Sequence, residues 1–357
     1  MKTFSKPEPV TITYPVRAVG APEKLLFFDI ETTGLTPSRA QIYLIGALTR
    51  EENGGWILRQ WFADSLSSEQ EILRAFFEFA RNYSILVHYN GDGFDLPFLD
   101  KCAFQYHLEN PLKDMISIDL YRTVRPYRKL FRTERLNQKA MENFLGIRRA
   151  DRFSGAELIS VYGSFLSSAD PASLELLLLH NEEDVTGLTS LLSMISYSDF
   201  FRGDLSDPIA LERGGNIILD YGSEACLPKP VSLSLPPVTL SARDSVLEFT
   251  VSEYRGTASH YFENYRDYYY LPAEDKAVHK SVGEFVDRSA RVKATAETAC
   301  VKKDGIFFPL FGPANRPVFF TEYKGAMRYV QKNDYDFTDR DNLLKYGYAV
   351  LKYFGLR

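Results

Sequence analysis

Cysteine is scarce in this sequence of 357 residues, and long apolar runs are missing. The three cysteines, Cys102, Cys226 and Cys300, lie far apart and form no Cys-x-x-Cys pair. This spacing excludes a disulfide framework and a zinc knuckle, and it fits a reducing compartment. No run approaches the roughly 18 apolar residues that a membrane-spanning helix needs. The first residues contain no apolar signal core, so we expect a cytoplasmic protein with no membrane partner.

An excess of positive charge is also missing, because 42 lysines and arginines stand against 47 acidic residues and the formal net charge at pH 7 is −5. The distribution is uneven, however: residues 122–152 contain ten lysines and arginines but only three acidic residues. A local basic patch of this kind is enough to follow a phosphate backbone. A solvated charged surface is the alternative interpretation. The length and the 45% hydrophobic content are typical of a globular protein with two domains.

The first apolar stretch ends in two carboxylates. Residues 25–28 are all apolar and run directly into Asp29 and Glu31, which predicts a strand that is buried on both faces. On a strand, side chains at i and i+2 point to the same side, so the two carboxylates project together. They repel each other unless a cation lies between them, and hard oxygen donors suit Mg²⁺ or Mn²⁺. An acidic turn without a metal is the alternative.

Alternating and helical patterns surround this strand. A capping box from Ser68 to Glu71 predicts the start of a helix with one apolar stripe. Because prolines flank the N-terminal residues, we expect a strap without helix at 1–21. Strands are predicted at 10–14, 41–48, 56–62 and 84–88, with a hairpin turn at 51–55.

A third acidic position follows the strand at 84–88. Asp95 starts a helix whose first turn contains Pro97, where a missing N–H costs little. If the two strands are neighbours, Asp95 lies close to the first two carboxylates. Asn90 and Asp95 could equally be plain capping residues. Asp92, between two glycines, is interpreted as a turn residue, and Asp119 as a supporting residue at the end of another strand.

A fourth acidic position lies on a late helix. Asp170 and Pro171 cap a long leucine-rich helix in which His180 and Asp184 are four residues apart. That spacing places both side chains on one helical face. An isolated histidine in such a helix is more often a structural residue than a ligand. His180 and Asp184 therefore indicate a functional site only in combination with the earlier motifs.

In combination, the motifs resemble the DEDD exonuclease superfamily, and in particular the YprB-type ribonuclease H-like proteins. The resemblance covers roughly residues 22–200 and rests on residues 28–34, 88–95, 145–148 and 180–185. It implies an α/β fold in which helices flank a mixed ribonuclease H-like sheet. The predicted domains are an N-terminal strap (1–21), an exonuclease domain (22–200) and a smaller C-terminal α+β module (201–357).

The resemblance also implies a chemistry. Asp29, Glu31, Asp95 and Asp184 would hold two Mg²⁺ or Mn²⁺ ions, which activate water and stabilise the departing oxygen in 3′→5′ hydrolysis of single-stranded RNA or DNA. His180 would orient or deprotonate the attacking water. Histidine-type relatives place this histidine five residues before the last aspartate, whereas here the spacing is the four residues of the tyrosine type. The role of His180 is therefore left open.

Two further groups of residues are predicted to contact the nucleic acid. By resemblance, Thr32, Thr33 and Gly34 lie beside the terminal nucleotide, although Gly34 also suits a plain turn. Asn90 is a candidate on the neighbouring loop. The arginines of the basic stretch, with aromatic residues between them, could follow a single strand by charge and stacking; they are Arg122, Arg125 and Arg128.

The C-terminal part carries no chemical motif. Prolines between 228 and 237 indicate a linker or sheet edge, and the tyrosines within 265–270 could stack on bases or fill a small core. Strands are predicted at 247–251 and 306–311, and helices at 275–286 and 341–354. A binding subunit without turnover, or a scaffold that recruits a protein partner through this module, are the alternatives to an enzyme. The concentrated carboxylates favour the enzyme.

Overall fold

The computed structural model describes residues 1–313 and 317–357. The chain divides into two compact units, Met1–Asp199 and Phe200–Arg357. None of the helices in the described ranges combines the length and apolar character that a membrane span requires. The predicted limits of the strap, the exonuclease domain and the C-terminal module remain predictions.

The N-terminal unit is built on one six-stranded sheet. The strand order is β1-β4-β3-β2-β5-β6, in which β2, β5 and β6 are parallel and the remaining pairs antiparallel. The expected antiparallel neighbours of the first buried strand are therefore confirmed. The strands are β1 (Lys2–Glu8), β2 (Leu25–Thr32), β3 (Ile42–Arg50), β4 (Trp56–Phe62), β5 (Ile85–His88) and β6 (Ile116–Asp119).

The strand expected at residues 10–14 is wrong, and so is the expected absence of helix from residues 1–21, because Val16–Val19 form the short helix α1 directly after Pro15. The N-terminal strand is β1 instead, which pairs antiparallel with β4 from Lys2 opposite Phe62 to Glu8 opposite Trp56. An edge strand gains its stability from backbone hydrogen bonds and can leave most of its side chains in water. Pro7 is tolerated there because an edge strand does not need every N–H. Because most side chains of this edge strand can stay in water, the sequence of β1 is polar and lacks the alternation of apolar and polar residues that predicts a strand.

Helices cover both ends of the parallel strands. They are α1 (Val16–Val19), α2 (Glu69–Ala80), α3 (Asp95–Gln105), α4 (Leu120–Val124), α5 (Arg128–Phe131), α6 (Gln138–Leu145), α7 (Gly155–Ser168), α8 (Pro171–Leu191) and α9 (Ile195–Arg202). Capping of α8 by Asp170 is confirmed, and α6 ends at Gly146 in the left-handed conformation. The apolar stripe of α2 is buried as predicted.

The capping box at α2 is wrong. Ser68 already has helical dihedral angles, because a short 3₁₀ turn over residues 66–68 leads into the helix. Its side chain makes no capping bond to the helix, and its hydroxyl donates to Asp64 Oδ1 at 3.0 Å. A capping serine needs an extended backbone, which this position lacks.

Gly46 on β3 allows α8 to pack closely against the sheet. A Cβ atom at this position would lie 2.1 Å from Asn181 Oδ1 and 2.8 Å from Val185 Cγ2. Both neighbours belong to α8, and the Asn181 side chain is fully buried. The glycine therefore sets the distance at which α8 lies over β2 and β3.

We expect Gly46→Ala to lower the free energy of unfolding by about 2–3 kcal/mol, because overpacking of a buried contact costs that much. Urea unfolding monitored by circular dichroism measures the change. Gly163→Ala is the matched control, since no atom lies within 4 Å of the added methyl group on α7. Alanine should stabilise that helix by roughly 0.5–1 kcal/mol. Equal stability of wild type and Gly46→Ala would contradict the close contact.

The C-terminal unit consists mainly of strands. Its three sheets have the orders β7-β8-β11-β10-β9, β12-β16-β17 and β14-β13-β15. The strands are β7 (Leu205–Arg213), β8 (Asn216–Ser223), β9 (Val231–Leu235), β10 (Val238–Arg243), β11 (Val246–Ser252), β12 (Tyr254–Tyr261), β13 (Tyr268–Leu271), β14 (Lys276–His279), β15 (Val292–Lys293), β16 (Cys300–Leu310) and β17 (Arg328–Gln331). The helices are α10 (Lys280–Gly283) and α11 (Arg340–Phe354).

The strands at 247–251 and 306–311 and the closing helix are confirmed, but the helix at 275–286 is wrong. Its first half is β14, which pairs with the tyrosine-rich β13, and only four residues are helical. In β13 the Tyr268 ring stacks on Phe262 with centroids 4.4 Å apart, and Arg291 lies 4.5 Å over the Tyr269 ring. These tyrosines are half-buried and pack against neighbouring side chains of the unit.

Candidate active site

Three carboxylates meet between the C-terminal part of β2 and the first residue of α3. Asp29 is half-buried and Glu31 is buried, both on β2. Asp95, the first residue of α3, is 5% exposed, and its Oδ1 accepts the N–H of Ile30 at 3.3 Å. The N-cap of α3 is Phe94, whose side chain makes no capping bond, so Asp95 is the first helical residue and not the N-cap. The carboxylate instead satisfies a strand N–H that lies beyond the pairing of β2 with β5.

The fourth carboxylate comes from α8. His180 Nε2 lies 3.4 Å from Glu31 Oε1 and 3.2 Å from Asp184 Oδ2. Glu31, His180 and Asp184 each offer one potential metal-ligand atom, and these three atoms lie within 4.8 Å of one another, close enough to ligate one cation. Asp29 and Asp184 line the same cavity. The structure therefore brings Asp29, Glu31, Asp95, His180 and Asp184 together from three elements.

Asn181 links Asp29 to the middle of the sheet. Its Nδ2 donates to Asp29 Oδ2 at 3.3 Å, and its Oδ1 accepts from Gln60 Nε2 at 3.0 Å. Gln60 also donates to Leu178 O at 2.9 Å, so both partners are fixed to α8. Gln60 could not be predicted from the sequence, because it lies on β4, more than a hundred residues before its partner.

Burial and mutual repulsion make ionisation of these carboxylic acids unfavourable. Burial raises the pKa of Asp29 and of Glu31 well above the usual range, and the charges of Asp184 and Asp95 raise both further. Burial also raises the pKa of Asp95 to about 7, although the Ile30 N–H opposes the shift. A cluster of this kind must retain protons or bind a cation. Divalent cations with oxygen ligands fit this donor set.

Arg149 supplies a positive charge to the cluster. Its Nη1 donates to Asp184 Oδ1 at 2.5 Å, and its Nη2 donates to Glu142 Oε1 at 2.7 Å. The Arg149 side chain is 8% exposed and that of Glu142 is 2% exposed. The guanidinium lowers the pKa of Asp29, which partly offsets the repulsion. Sequence reasoning placed Arg149 among surface cations, because its buried partner Glu142 could not be foreseen.

His180 is held by a second acid that the sequence did not identify. His180 Nδ1 lies 2.7 Å from Asp151 Oδ2, and Lys139 Nζ donates to the same carboxylate at 2.9 Å. Burial alone would raise the pKa of Asp151, but the bonds from Lys139, the Phe153 N–H and His180 lower it below its usual value. The imidazole is 4% exposed. Its ring orientation is therefore fixed, with Nε2 directed at Glu31 and Asp184.

A neighbouring polar cluster contains His88, Asp92 and Asp119, which also lie within 4.8 Å of one another. His88 Nδ1 accepts the Gly91 N–H at 3.1 Å, so Nε2 carries the ring proton and has no lone pair for a metal. Asp119 Oδ1 accepts the N–H of Asn90 at 2.8 Å. This cluster orders the loop around Asn90, and it fits the supporting role predicted for Asp119.

The predicted substrate contacts lie around this centre but do not join it. The Thr32 hydroxyl donates to Gly34 O at 2.8 Å, and Thr33 Oγ1 accepts the Gln41 N–H at 2.9 Å. Both threonines thus shape the turn after β2. Arg122 forms an ion pair with Asp92 at 2.7 Å. Within the described ranges, the exposed Arg125 and Arg128 have no ion pair. Contact of these residues with nucleic acid stays a prediction.

Residues 26–196 match the family model RNase_H_2, whose description is RNase_H superfamily. This part of the chain is similar to the RNase H superfamily over a little less than half of the sequence. The match covers Asp29, Glu31, Asp95, His180 and Asp184, and it agrees with the mixed sheet between helices. The predicted fold class is confirmed, whereas the finer YprB-type assignment is not. None of the curated proteins matches the chain.

Several solved structures are similar to the chain. The ExoI/SSB-Ct complex shares 15% identity over 56% of this chain and 56% of its own, with a TM-score of 0.28. E. coli exonuclease I with a 5cy-dA13 oligonucleotide shares 15% over 55% and 54%, with a TM-score of 0.28. The same enzyme with dT13 shares 12% over 93% and 71%, with a TM-score of 0.27. In the first two, the match spans little more than half of the solved chain.

Proposed function

We propose that the RNase H-like domain is a metal-dependent 3′→5′ exonuclease of the DEDD type, nearest to the YprB-type proteins. Its substrate is the end of a single-stranded RNA or DNA, in the cytoplasm. One observation carries the proposal: Asp29, Glu31, Asp95 and Asp184 converge from three elements that are distant in sequence. A protein that only binds or scaffolds has no reason to concentrate like charges in a buried place.

The four carboxylates are the proposed ligands of two Mg²⁺ or Mn²⁺ ions. When bound, such ions lower the pKa of water and stabilise charge on the departing oxygen. The chain's own part is to hold the ligands in place. Asn181 fixes Asp29, Arg149 and Gln138 fix Asp184 through a side-chain and a backbone oxygen, and the Ile30 N–H fixes Asp95.

His180 has a positioning role in this proposal. Its ring is buried and its Nδ1 is engaged by Asp151. Nε2 faces the carboxylates of Glu31 and Asp184, so the histidine fixes two proposed ligands relative to each other. This geometry explains how a histidine can occupy the spacing that tyrosine-type relatives use for their hydroxyl group.

The proposal predicts Mn²⁺-dependent release of mononucleotides from a labelled oligonucleotide with a free 3′ end. Asp184→Asn should lower the rate by at least roughly 100-fold, because loss of a metal ligand removes several kcal/mol of transition-state stabilisation. Glu182→Gln is the matched control on the same helix, since Glu182 pairs with Lys6 outside the cluster. A blocked 3′ end should stop the reaction, and parallel RNA and DNA substrates identify the preferred sugar.

The second candidate function is nucleic-acid binding without turnover, which the exposed Arg125 and Arg128 favour. Retained binding with no hydrolysis by any form of the protein would establish it. Equal hydrolysis by wild type and Asp184→Asn would refute the nuclease proposal, because the activity would then not depend on the carboxylate cluster. Isothermal titration with Mn²⁺ separates the two cases independently of turnover.

A further inference from the structure

A cavity of about 470 Å³ opens beside the proposed metal ligands. Asp29 and Asp184 line one part of it, and Tyr89, Tyr121 and Asn137 line another. Its volume falls within the roughly 300–1,000 Å³ that is usual for small-molecule sites. Of the residues predicted from sequence to contact substrate, Asn90 lines this cavity, and so does Tyr121, one of the aromatic residues of the basic stretch. Tyr89 and Asn137 also line it, and the sequence assigned neither of them a contact.

Two tyrosines form the aromatic part of the cavity. The Tyr89 hydroxyl donates to Leu136 O at 2.5 Å, which anchors that ring. Tyr121 is half-buried and meets Tyr89 at a centroid distance of 6.0 Å and an interplanar angle of 62°. Among residues 1–313 and 317–357, the Tyr121 hydroxyl has no hydrogen-bond partner. The cavity therefore combines one anchored ring with a second, half-buried ring whose hydroxyl is unpaired within the described residues.

Two carboxamides provide hydrogen-bonding groups. The Asn90 backbone is held at a φ of 62° by its N–H bond to Asp119 Oδ1, and its exposed carboxamide is unpaired in the described part of the chain. Asn137 uses Oδ1 to cap α6 by accepting the Ala140 N–H at 3.1 Å, which leaves its NH₂ group available. Aromatic faces beside amide groups are the means by which proteins bind unpaired nucleobases.

We propose that this cavity binds a nucleobase flanking the bond to be cleaved, with Tyr121 stacked against it. The inference rests on the nuclease function proposed above and adds the base-binding side of the same site. The position follows from the shared lining: a base held by Tyr121 lies in the same cavity as Asp29 and Asp184, so its phosphate reaches the metal ligands. Stacking accepts any base, because every base has a π-face.

Binding of oligonucleotides that carry 2-aminopurine at the last or second-last position tests this inference. Ca²⁺ replaces Mn²⁺ so that binding is measured at equilibrium. For one of the two positions, we expect fluorescence quenching by wild type and by Tyr121→Phe. Tyr121→Ala should lose the quenching and bind roughly 5- to 100-fold more weakly, the value of one base–aromatic stack. Tyr265→Ala, a half-buried tyrosine of the C-terminal unit, should behave as wild type.

An oligonucleotide with an abasic residue at the quenched position separates stacking from structural damage. Wild type should prefer the intact base, and Tyr121→Ala should bind both equally. If Tyr121→Ala keeps the quenching and the preference while wild type still hydrolyses DNA or RNA, the base subsite is refuted and the nuclease proposal stands. If wild type neither binds nor hydrolyses any oligonucleotide, both proposals are refuted.

Discussion

Asp29→Asn should abolish hydrolysis and at the same time stabilise the metal-free protein. The activity loss should be at least roughly 1,000-fold, because the variant loses a charged ligand while each 1.36 kcal/mol of transition-state stabilisation is worth tenfold. Stability should rise by about 1–3 kcal/mol without metal, since a neutral amide removes repulsion with Asp184, Asp95 and Glu31. The asparagine oxygen can still accept the Asn181 amide, so the fold is retained.

Parallel measurements of nucleotide release and of urea unfolding in EDTA check this expectation. Asp100→Asn is the matched control, because Asp100 lies on α3 and pairs with Lys113 at 2.6 Å outside the cluster. The control should keep both activity and stability. A destabilised Asp29→Asn variant would mean that the carboxylate supports the fold, and the charge-cluster argument would then be wrong.

The second large effect is a pH dependence that metal reverses. The pKa of Asp95 is raised to about 7, above the value of about 3.9 for an unfolded aspartate. The folded state therefore holds a proton that the unfolded state releases, and this stability is lost as pH rises through 7. Without metal, the free energy of unfolding should fall by roughly 2–3 kcal/mol between pH 5 and pH 8, at about 1.4 kcal/mol per unit below the folded pKa.

Mn²⁺ should reverse this trend, because a metal binds the deprotonated carboxylates and its affinity rises with pH. Urea unfolding at several pH values in EDTA and in excess Mn²⁺ provides the comparison. Asp95→Asn should make the metal-free profile shallower by the Asp95 contribution, while Asp29 and Glu31, whose pKa values are also raised, keep part of the pH dependence. A metal-free stability that increases towards pH 8 would contradict the raised pKa.

Local patterns predicted most of the centre. The apolar run before Asp29, the Pro97 turn after Asp95 and the four-residue spacing of His180 and Asp184 each depend on neighbours in the sequence, and the structure places all of them together. Their roles as metal ligands remain proposals. The parallel neighbours β2 and β5 bring Asp95, which follows β5, close to Asp29 and Glu31, whereas His180 and Asp184 reach them because α8 packs against the sheet.

The residues that orient these groups could not be predicted. Arg149 and Asp151 follow α6 in an irregular stretch, and their partners Asp184 and His180 are about thirty residues away. No periodicity relates such pairs, because they depend on how α6 and α8 pack. The polar edge strand β1 could not be predicted for a similar reason, because its pairing with β4 leaves no periodic pattern in its sequence. A protein partner for the C-terminal unit also stays a prediction.

The enclosure of Arg149 has a consequence for handling the protein. Its side chain is 8% exposed, so dissolved salt screens its attraction to Asp184 poorly. When a chelator removes the proposed divalent ions, the positive charge of Arg149 remains within the carboxylate cluster. Removal and return of the metal should therefore be a reversible operation that does not unfold the domain.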